Sequence, residues 1–476
     1  MLTPADLFME CWEAGRRLSG AVVTNIMLPD NVFKDSVDEA LLSEDADESY
    51  TKLKSLWADD GTGAAKGRML IIARAIDSFF NLIHPRALYS AKTWEPISLA
   101  HWMREMKSQR QGTGVYARAG KYLLIPKGPL TRDRRDEFAS SAYSFSDQFE
   151  FLAVVPTQLL NDTMPITVDV ITMAQDWSKG VGPANSRGDE TVAFVPVAQL
   201  SEHLHIAERT HNGQHFADFS LAAPLDAAEI LKSQIDDVGF ADIVFAPELV
   251  VDEGAADRLQ KLMRNGARQT RIIVAGSGAT VEQQDGMSWN EARVMNGRGT
   301  ELWRQRKVWQ AGLDKTRAKA LGLTTIPATG LVMEDNHAGS KIIVADIDGF
   351  GRCVVLICQD LQANPLASEL IRCYQPDWVF VPILDSGAGV ARWAHQRAYE
   401  LSAISPARFL VASSTSMADM LSAGDVPCGL AVGPKNAIGP DAGRMLCTVR
   451  AHKLPHGHGI LVWRSEGWMK TIMESM

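Results

Sequence analysis

The stretch CVVLICQDLQANPLASELIRCYQPDWVFVP, Cys353–Pro382, sets the architecture. It opens on a β-branched apolar run, Cys353–Ile357, and closes on another, Trp378–Pro382. Between them Pro365–Cys373 carries apolar residues at helical spacing, and Cys358 stands at the turn. Short apolar strands alternating with helices imply layered α/β packing. The pattern continues outward. Strand-like runs occur at Ile166–Ile171, Thr191–Val197, Ile243–Phe245, Arg271–Ala275, Lys341–Ala345 and Phe409–Ala412. Helical stretches lie at Leu225–Asp236, Ala255–Arg264 and Ala388–Ile404. Asn290–Asn296 and Thr300–Val308 flank Gly297-Arg298-Gly299, which reads as a hairpin turn. Ile166–Met173 and Thr191–Leu200 compete as the first strand.

The chain has 476 residues, long enough for two or three domains and a large core. Apolar residues are 46% and charged residues 22%, which excludes disordered, collagen-like and disulfide-scaffold classes. With 48 basic against 57 acidic residues the net charge is −9, so the chain lacks the basic excess of a dedicated nucleic-acid binder. Its opening, MLTPADLFMECWEAG, has no signal-peptide pattern, and no apolar run is long enough to span a membrane. Six cysteines without a C-x-x-C pair read as reduced thiols in a cytoplasmic protein.

The first 160 residues have a different texture and are expected to form a separate, mostly helical or mixed region. Ser43–Ser49 is an acidic solvated linker or exposed helix. Residues 66–84 read as an amphipathic helix. Residues 102–135 hold nine lysines or arginines against two acids, with Tyr116 and Tyr122 among them. That segment is an ordinary exposed face or a surface for an anionic partner, protein or nucleic acid.

Several motifs lead nowhere. Gly61–Arg68 lacks the order of a phosphate loop, and Trp57-Ala58-Asp59-Asp60 has too little chain before it for a polymerase palm. Gly276-Ser277-Gly278 lacks the third glycine of a dinucleotide loop, because Val281 holds its place, and reads as a strand-end loop. His203, His205, His211 and His215 match no zinc spacing and read as surface loop residues; His452, His456 and His458 are read the same way.

Three strand ends carry unusual residues. Ala241–Glu248 is an apolar strand ending in Pro247-Glu248. Leu302–Trp309 brings Lys307 to the end of the hairpin's second strand. Val354–Leu361 ends in Cys358. Together they resemble the nitrilase, or carbon–nitrogen hydrolase, superfamily, whose catalytic set is Glu, Lys and Cys in that chain order. The hairpin from Trp289-Asn290-Glu291-Ala292 to Arg306-Lys307 is similar to the family's approach to its lysine. Ile357-Cys358-Gln359-Asp360-Leu361 with Pro365 and Glu369-Leu370 is similar to its nucleophile turn and following helix. Pro376–Pro382, Trp393, Arg397-Ala398, Glu400 and Phe409–Ser413 continue the likeness, and Glu334 matches a second family glutamate. The spacings, 59 residues from Glu248 to Lys307 and 51 from Lys307 to Cys358, keep the order, with the second somewhat long. Gln359 departs from the aromatic or acidic residue often found there.

The resemblance covers about residues 165–470. It implies an αββα four-layer sandwich over 161–476, with residues 1–160 a region of unrecognised role. It implies hydrolysis of a non-peptide C–N bond, amide or carbamoyl rather than nitrile, in a small-molecule substrate. In that chemistry Cys358 forms a thioester, Glu248 is the general base, Lys307 stabilises the developing charge, and Glu334 and the Gln359 N–H support them. No metal and no cofactor is implied, and association as a homodimer or higher homo-oligomer is expected. The alternative is an inactive nitrilase-like scaffold whose N-terminal region binds a partner.

Overall fold

The computed structural model describes residues 2–58, 62–83, 99–128, 144–182, 190–264, 270–327, 329–434, 444–464 and 467–470. The chain is mixed α/β. Two large sheets dominate. One has eight strands in the order Arg444–Val449, Gly429–Pro434, Arg408–Ser413, Trp378–Ile383, Gly351–Val355, Lys341–Ile347, Met164–Met173, Gln158–Asn161. The other has seven: Glu301–Arg306, Met287–Asn296, Ile272–Gln284, Ile243–Phe245, Thr191–Phe194, Gly459–Arg464, Gly467–Lys470.

Alternation along the strands decides what each face meets. Val192, Phe194, Ile243, Phe245, Ile272 and Val274 join the core shared with the eight-stranded sheet. Phe245 meets Phe380 of that sheet edge-on, with ring centroids 5.7 Å apart. The intervening Ala193, Val244 and Ile273 bury against Leu231 and Leu259 of helices Ala227–Val238 and Glu253–Met263. Side chains two apart face one way, so a strand between two layers must be apolar throughout. This is why Ile243–Phe245 reads as an unbroken apolar run.

Both candidates for a first strand are strands, one in each sheet: Met164–Met173 pairs with Lys341–Ile347, and Thr191–Phe194 with Ile243–Phe245. The second stops at Phe194, short of both Val197, where the apolar run ends, and Leu200, the end of the candidate strand. The helix expected from Ala388 begins only at Trp393. Gly276 and Gly278 are not in a strand-end loop. They lie inside strand Ile272–Gln284, Gly276 at an irregularity of its ladder and Gly278 paired with Glu291. The histidines of 203–215 are not in a loop either. Leu204–His211 and Gln214–Leu221 form a hairpin turned by Asn212-Gly213, both at positive φ, and His203 is buried. Asn-Gly at the turn was the hairpin signal.

Helices Pro4–Gly15, Asn31–Leu41, Ala46–Trp57, Gly63–Phe80 and His101–Thr113 precede the large sheets. Thr3, Asp30, Asp45 and Thr62 cap four of them with side-chain oxygens. Phe8, Trp12, Phe80, Trp102, Phe145 and Phe149 fill a core of their own. The expected helix of 66–84 is Gly63–Phe80, and most of Ser43–Ser49 is exposed around a helix start. Part of the basic segment, 129–135, lies outside the described residues, as do Asp59, Asp60 and Gly61. Within the rest of that segment, Arg110 and Tyr116 are buried. Arg110 reaches Asp346 and Asp348, and the fully buried Arg352 bonds Asp346 at 2.6 Å and the Pro126 carbonyl. These arginines latch the helical region onto the end of the eight-stranded sheet opposite to Cys358. Among the described residues, no helix is long and apolar enough to cross a membrane.

Candidate active site

Glu248 follows strand Ile243–Phe245 through Ala246-Pro247. The neighbouring strand leaves room for this turn. A Cβ on Gly276 would fall 2.2 Å from the Pro247 carbonyl oxygen, and one on Gly278 2.5 Å from that of Val251. Leu249, next in the chain, has φ +64, a conformation costly for a branched side chain. Lys307 comes directly after strand Glu301–Arg306. Its N–H donates to Asn290 at 2.8 Å and its carbonyl accepts from Gly339 at 2.7 Å. Glu334 ends strand Val332–Glu334 of a four-stranded sheet that covers this end of the molecule. Cys358 follows strand Gly351–Val355 at φ +48 and opens a 3-10 turn, Cys358–Leu361. A non-glycine residue held there marks a site where surrounding contacts over-determine the backbone.

The four side chains converge. Lys307 Nζ donates to Glu248 Oε1 at 2.7 Å and to Glu334 Oε2. Glu248 also lies near enough to the Cys358 thiol for each to shift the other's titration. Its second oxygen accepts the Leu384 N–H at 3.0 Å. Glu248 and Lys307 are 1% exposed, Glu334 5% and Cys358 8%. Gln359 is half-buried, and its side-chain amide donates to Gln362 rather than to the cluster.

Burial and charge set the protonation. Desolvation raises Glu248 above the ordinary glutamate value, and neighbouring Glu334 adds to this against the pull of Lys307. Burial alone would neutralise Lys307, but Glu248 and Glu334 hold it well above its usual value. Burial and then Glu248 push the Cys358 thiol well above an ordinary cysteine. A preformed thiolate is therefore scarcer than the few per cent of a free cysteine at neutral pH. The thiol proton has a carboxylate acceptor nearby instead.

Two further residues belong to the cluster. Asn290 Nδ2 donates to Glu248 Oε1 and to Glu334 Oε1, both at 2.9 Å, tying the two carboxylates together. Asp360 Oδ1 accepts the N–H groups of Val308 and Trp309 at 3.0 and 2.8 Å, and its Oδ2 that of Ile357 at 3.1 Å. It fastens the chain leaving Lys307 to the turn holding Cys358. Both stood inside recognised motifs without a role. The legible signal for Asn290 was a polar residue in register with Ala292 and Val294 on the buried face of its strand.

A cleft of about 400 Å³ borders the lysine hairpin, lined by Trp289, Glu291, Arg306, Gly339 and Lys341. Cys358 does not line it. Among the described residues no two cysteines are joined in a disulfide.

No family model and no curated protein matches the sequence. Solved structures do. One is Saccharomyces cerevisiae Nit3, a member of branch 10 of the nitrilase superfamily, at 15% identity over 47% of this chain and 75% of that one, TM-score 0.31. Another is the amidase from Nesterenkonia sp. AN1, an E41L mutant carrying an acetamide moiety on its active-site cysteine, at 15% identity over 60% and 92%, TM-score 0.35. Proteins described as members of the nitrilase or CN-hydrolase superfamily are thus among the solved structures that resemble this chain. The C. elegans NitFhit protein is also among them, at 16% identity over 48% and 51%, TM-score 0.32.

Proposed function

We propose that this chain hydrolyses a non-peptide carbon–nitrogen bond, amide or carbamoyl rather than nitrile, through a thioester on Cys358. One observation carries the proposal. A thiol, a carboxylate and an ammonium from three distant stretches meet in a buried cluster, with Lys307 hydrogen-bonded to Glu248 and the thiol beside them. Burying such charges is costly, and a merely structural role is filled as well by apolar side chains of similar volume.

In the proposed reaction Sγ of Cys358 attacks the carbonyl carbon as its proton passes to Glu248. Negative charge builds on the carbonyl oxygen beside Lys307 Nζ and the Gln359 N–H. The tetrahedral adduct collapses. The C–N bond breaks, and the nitrogen leaves with the proton held by Glu248. Water then gives its proton to Glu248 and attacks the thioester carbon, and Cys358 regains a proton as the acid departs. Glu334 and Asn290 hold Lys307 and Glu248 in place throughout.

The two large sheets, with shared side chains between them and helices packed outside, support the αββα layering as part of the same proposal. Intact-mass measurement of the protein with a panel of amides and carbamoyl compounds tests it. An adduct on the native chain that is absent from Cys358→Ala supports the proposal. Ammonia release equal in both proteins overturns it.

A further inference from the structure

The segment between strands Arg444–Val449 and Gly459–Arg464 carries the chain from one large sheet to the other. It is tightly held. Gln199 Nε2 donates to the Lys453 carbonyl at 3.0 Å, and the Gly457 N–H donates to Gln199 Oε1 at 2.9 Å. A Cβ on Gly457 would lie 2.7 Å from the Lys453 carbonyl oxygen. The loop turns two of its histidines onto each other: the rings of His452 and His458 are 4.2 Å apart.

His452 Nδ1 lies 2.6 Å from the His458 carbonyl oxygen. A carbonyl only accepts, so Nδ1 carries the proton and Nε2 the lone pair. That Nε2 stands 3.8 Å from Asp237 Oδ2, near the end of helix Ala227–Val238. His458 Nδ1 stands 3.9 Å from the same oxygen and 3.0 Å from Gln234 Oε1, an acceptor, so in the metal-free chain this nitrogen carries the proton and a metal bound there would move it to Nε2. His458 is 1% exposed, and among the described residues its Nε2 has no hydrogen-bond partner.

We propose that Asp237, His452 and His458 form a zinc site, with Gln234 Oε1 as fourth ligand, that staples the sheet crossover to helix Ala227–Val238. The separations of 3.8 and 3.9 Å are too long for hydrogen bonds. They are close to what an ion between them needs. Arms of about 2.0–2.2 Å in a tetrahedral site put ligand atoms roughly 3.3–3.6 Å apart, a closure of a few tenths of an ångström. All three donor atoms already lie within 4.8 Å of one another. A histidine whose second nitrogen donates to a backbone carbonyl has the tautomer and orientation of a metal ligand. Nitrogen and carboxylate donors in this number suit zinc. Lys453 Nζ, 3.2 Å from Asp237 Oδ2, competes for that oxygen, but its side chain is 57% exposed and free to swing into water.

The test uses the full chain, stripped with chelator and dialysed against zinc chloride, with bound zinc read by elemental analysis. One zinc per chain is expected at micromolar free metal, with a rise in thermal midpoint. Asp237→Ala and His452→Ala should each weaken binding at least tenfold and lose the rise. Their metal-free midpoints, compared with that of the native chain, separate lost coordination from lost folding. Lys453→Ala should bind zinc at least as tightly as the native chain. No zinc on the native chain, or equal binding by the Asp237 and His452 variants, as free thiols or the stacked His203 and His456 would give, overturns the proposal.

Discussion

The helical region and the two-sheet region are both well packed, yet they spend their buried polar groups differently. In the helical region the buried Asp77 accepts the N–H groups of Glu150, Phe151 and Leu152, at 2.7, 3.0 and 2.7 Å. It ties a helix to an extended segment, and that is all its contacts can do. In the two-sheet region Glu248 and Glu334 share Lys307 and Asn290, with Cys358 close by, beside residues at positive φ. A carboxylate that satisfies only the backbone stabilises a fold. Carboxylates that share one buried ammonium at strand ends, with a single backbone N–H each, hold charge together at a cost that a purely structural role does not require.

The largest expected effect is on turnover. Cys358→Ala, Glu248→Gln and Lys307→Ala should each lower ammonia release by about a thousandfold or more. Far-ultraviolet circular dichroism should remain that of the native chain. Retained activity in any of the three would erase the distinction between the regions.

Next is the stability of the cluster. Lys307→Met leaves two buried carboxylates facing each other and should lower the unfolding free energy by about 3–5 kcal/mol at neutral pH. A carboxyl whose pKa is raised on folding favours the protonated native state, so its contribution is full at low pH and lost as pH rises. The deficit of Lys307→Met in urea titrations should therefore shrink toward pH 4. A deficit that grows on acidification would contradict the coupling of Lys307 to Glu248 and Glu334.

Asp77→Ala sharpens the comparison from the other side. It leaves three N–H groups, one buried and two half-buried, without this acceptor and should cost about 2–4 kcal/mol. The rate per folded molecule should be unchanged. A fall in that rate would show that the helical region takes part in the chemistry.

Asp360 stands between the two cases, because it satisfies backbone groups but does so inside the site. Burial pushes its carboxyl up to about 7, against the three N–H bonds. Its favourable contribution thus declines as pH rises from about 4 through 7. Asp360→Asn should lack that decline, giving a flatter dependence of the urea midpoint on pH than the native chain. Its turnover should fall about ten- to a hundredfold as Lys307 and Cys358 lose their common tether. The smallest effect belongs to the exposed pair of Lys54 and Glu10, at 2.6 Å, where Lys54→Ala should cost under about 1 kcal/mol in thermal unfolding.

Much of the layered fold is legible in the chain. Apolar runs too short for helices and unbroken by polar residues imply strands covered on both sides, and Ile243–Phe245 needs no more than that. Chain order and local context pick out Glu248, Lys307 and Cys358. Local pattern misled where pairing overrode it: Gly276 and Gly278 read as a loop because glycine suits turns, whereas here it lets a strand pass close to the turn bearing Glu248.

Sequence alone determined which segments alternate, which side chains end the strands, and that a thiol, an acid and an amine stand at three of those ends. Only tertiary structure decided that the three meet, that Asn290 and Asp360 join them, that Arg110 is a buried latch, and that His452 and His458 face Asp237. The physical reason is distance along the chain. Periodicity reports which way a side chain points within its own strand or helix, whereas meeting a partner fifty or two hundred residues away depends on how whole sheets pack.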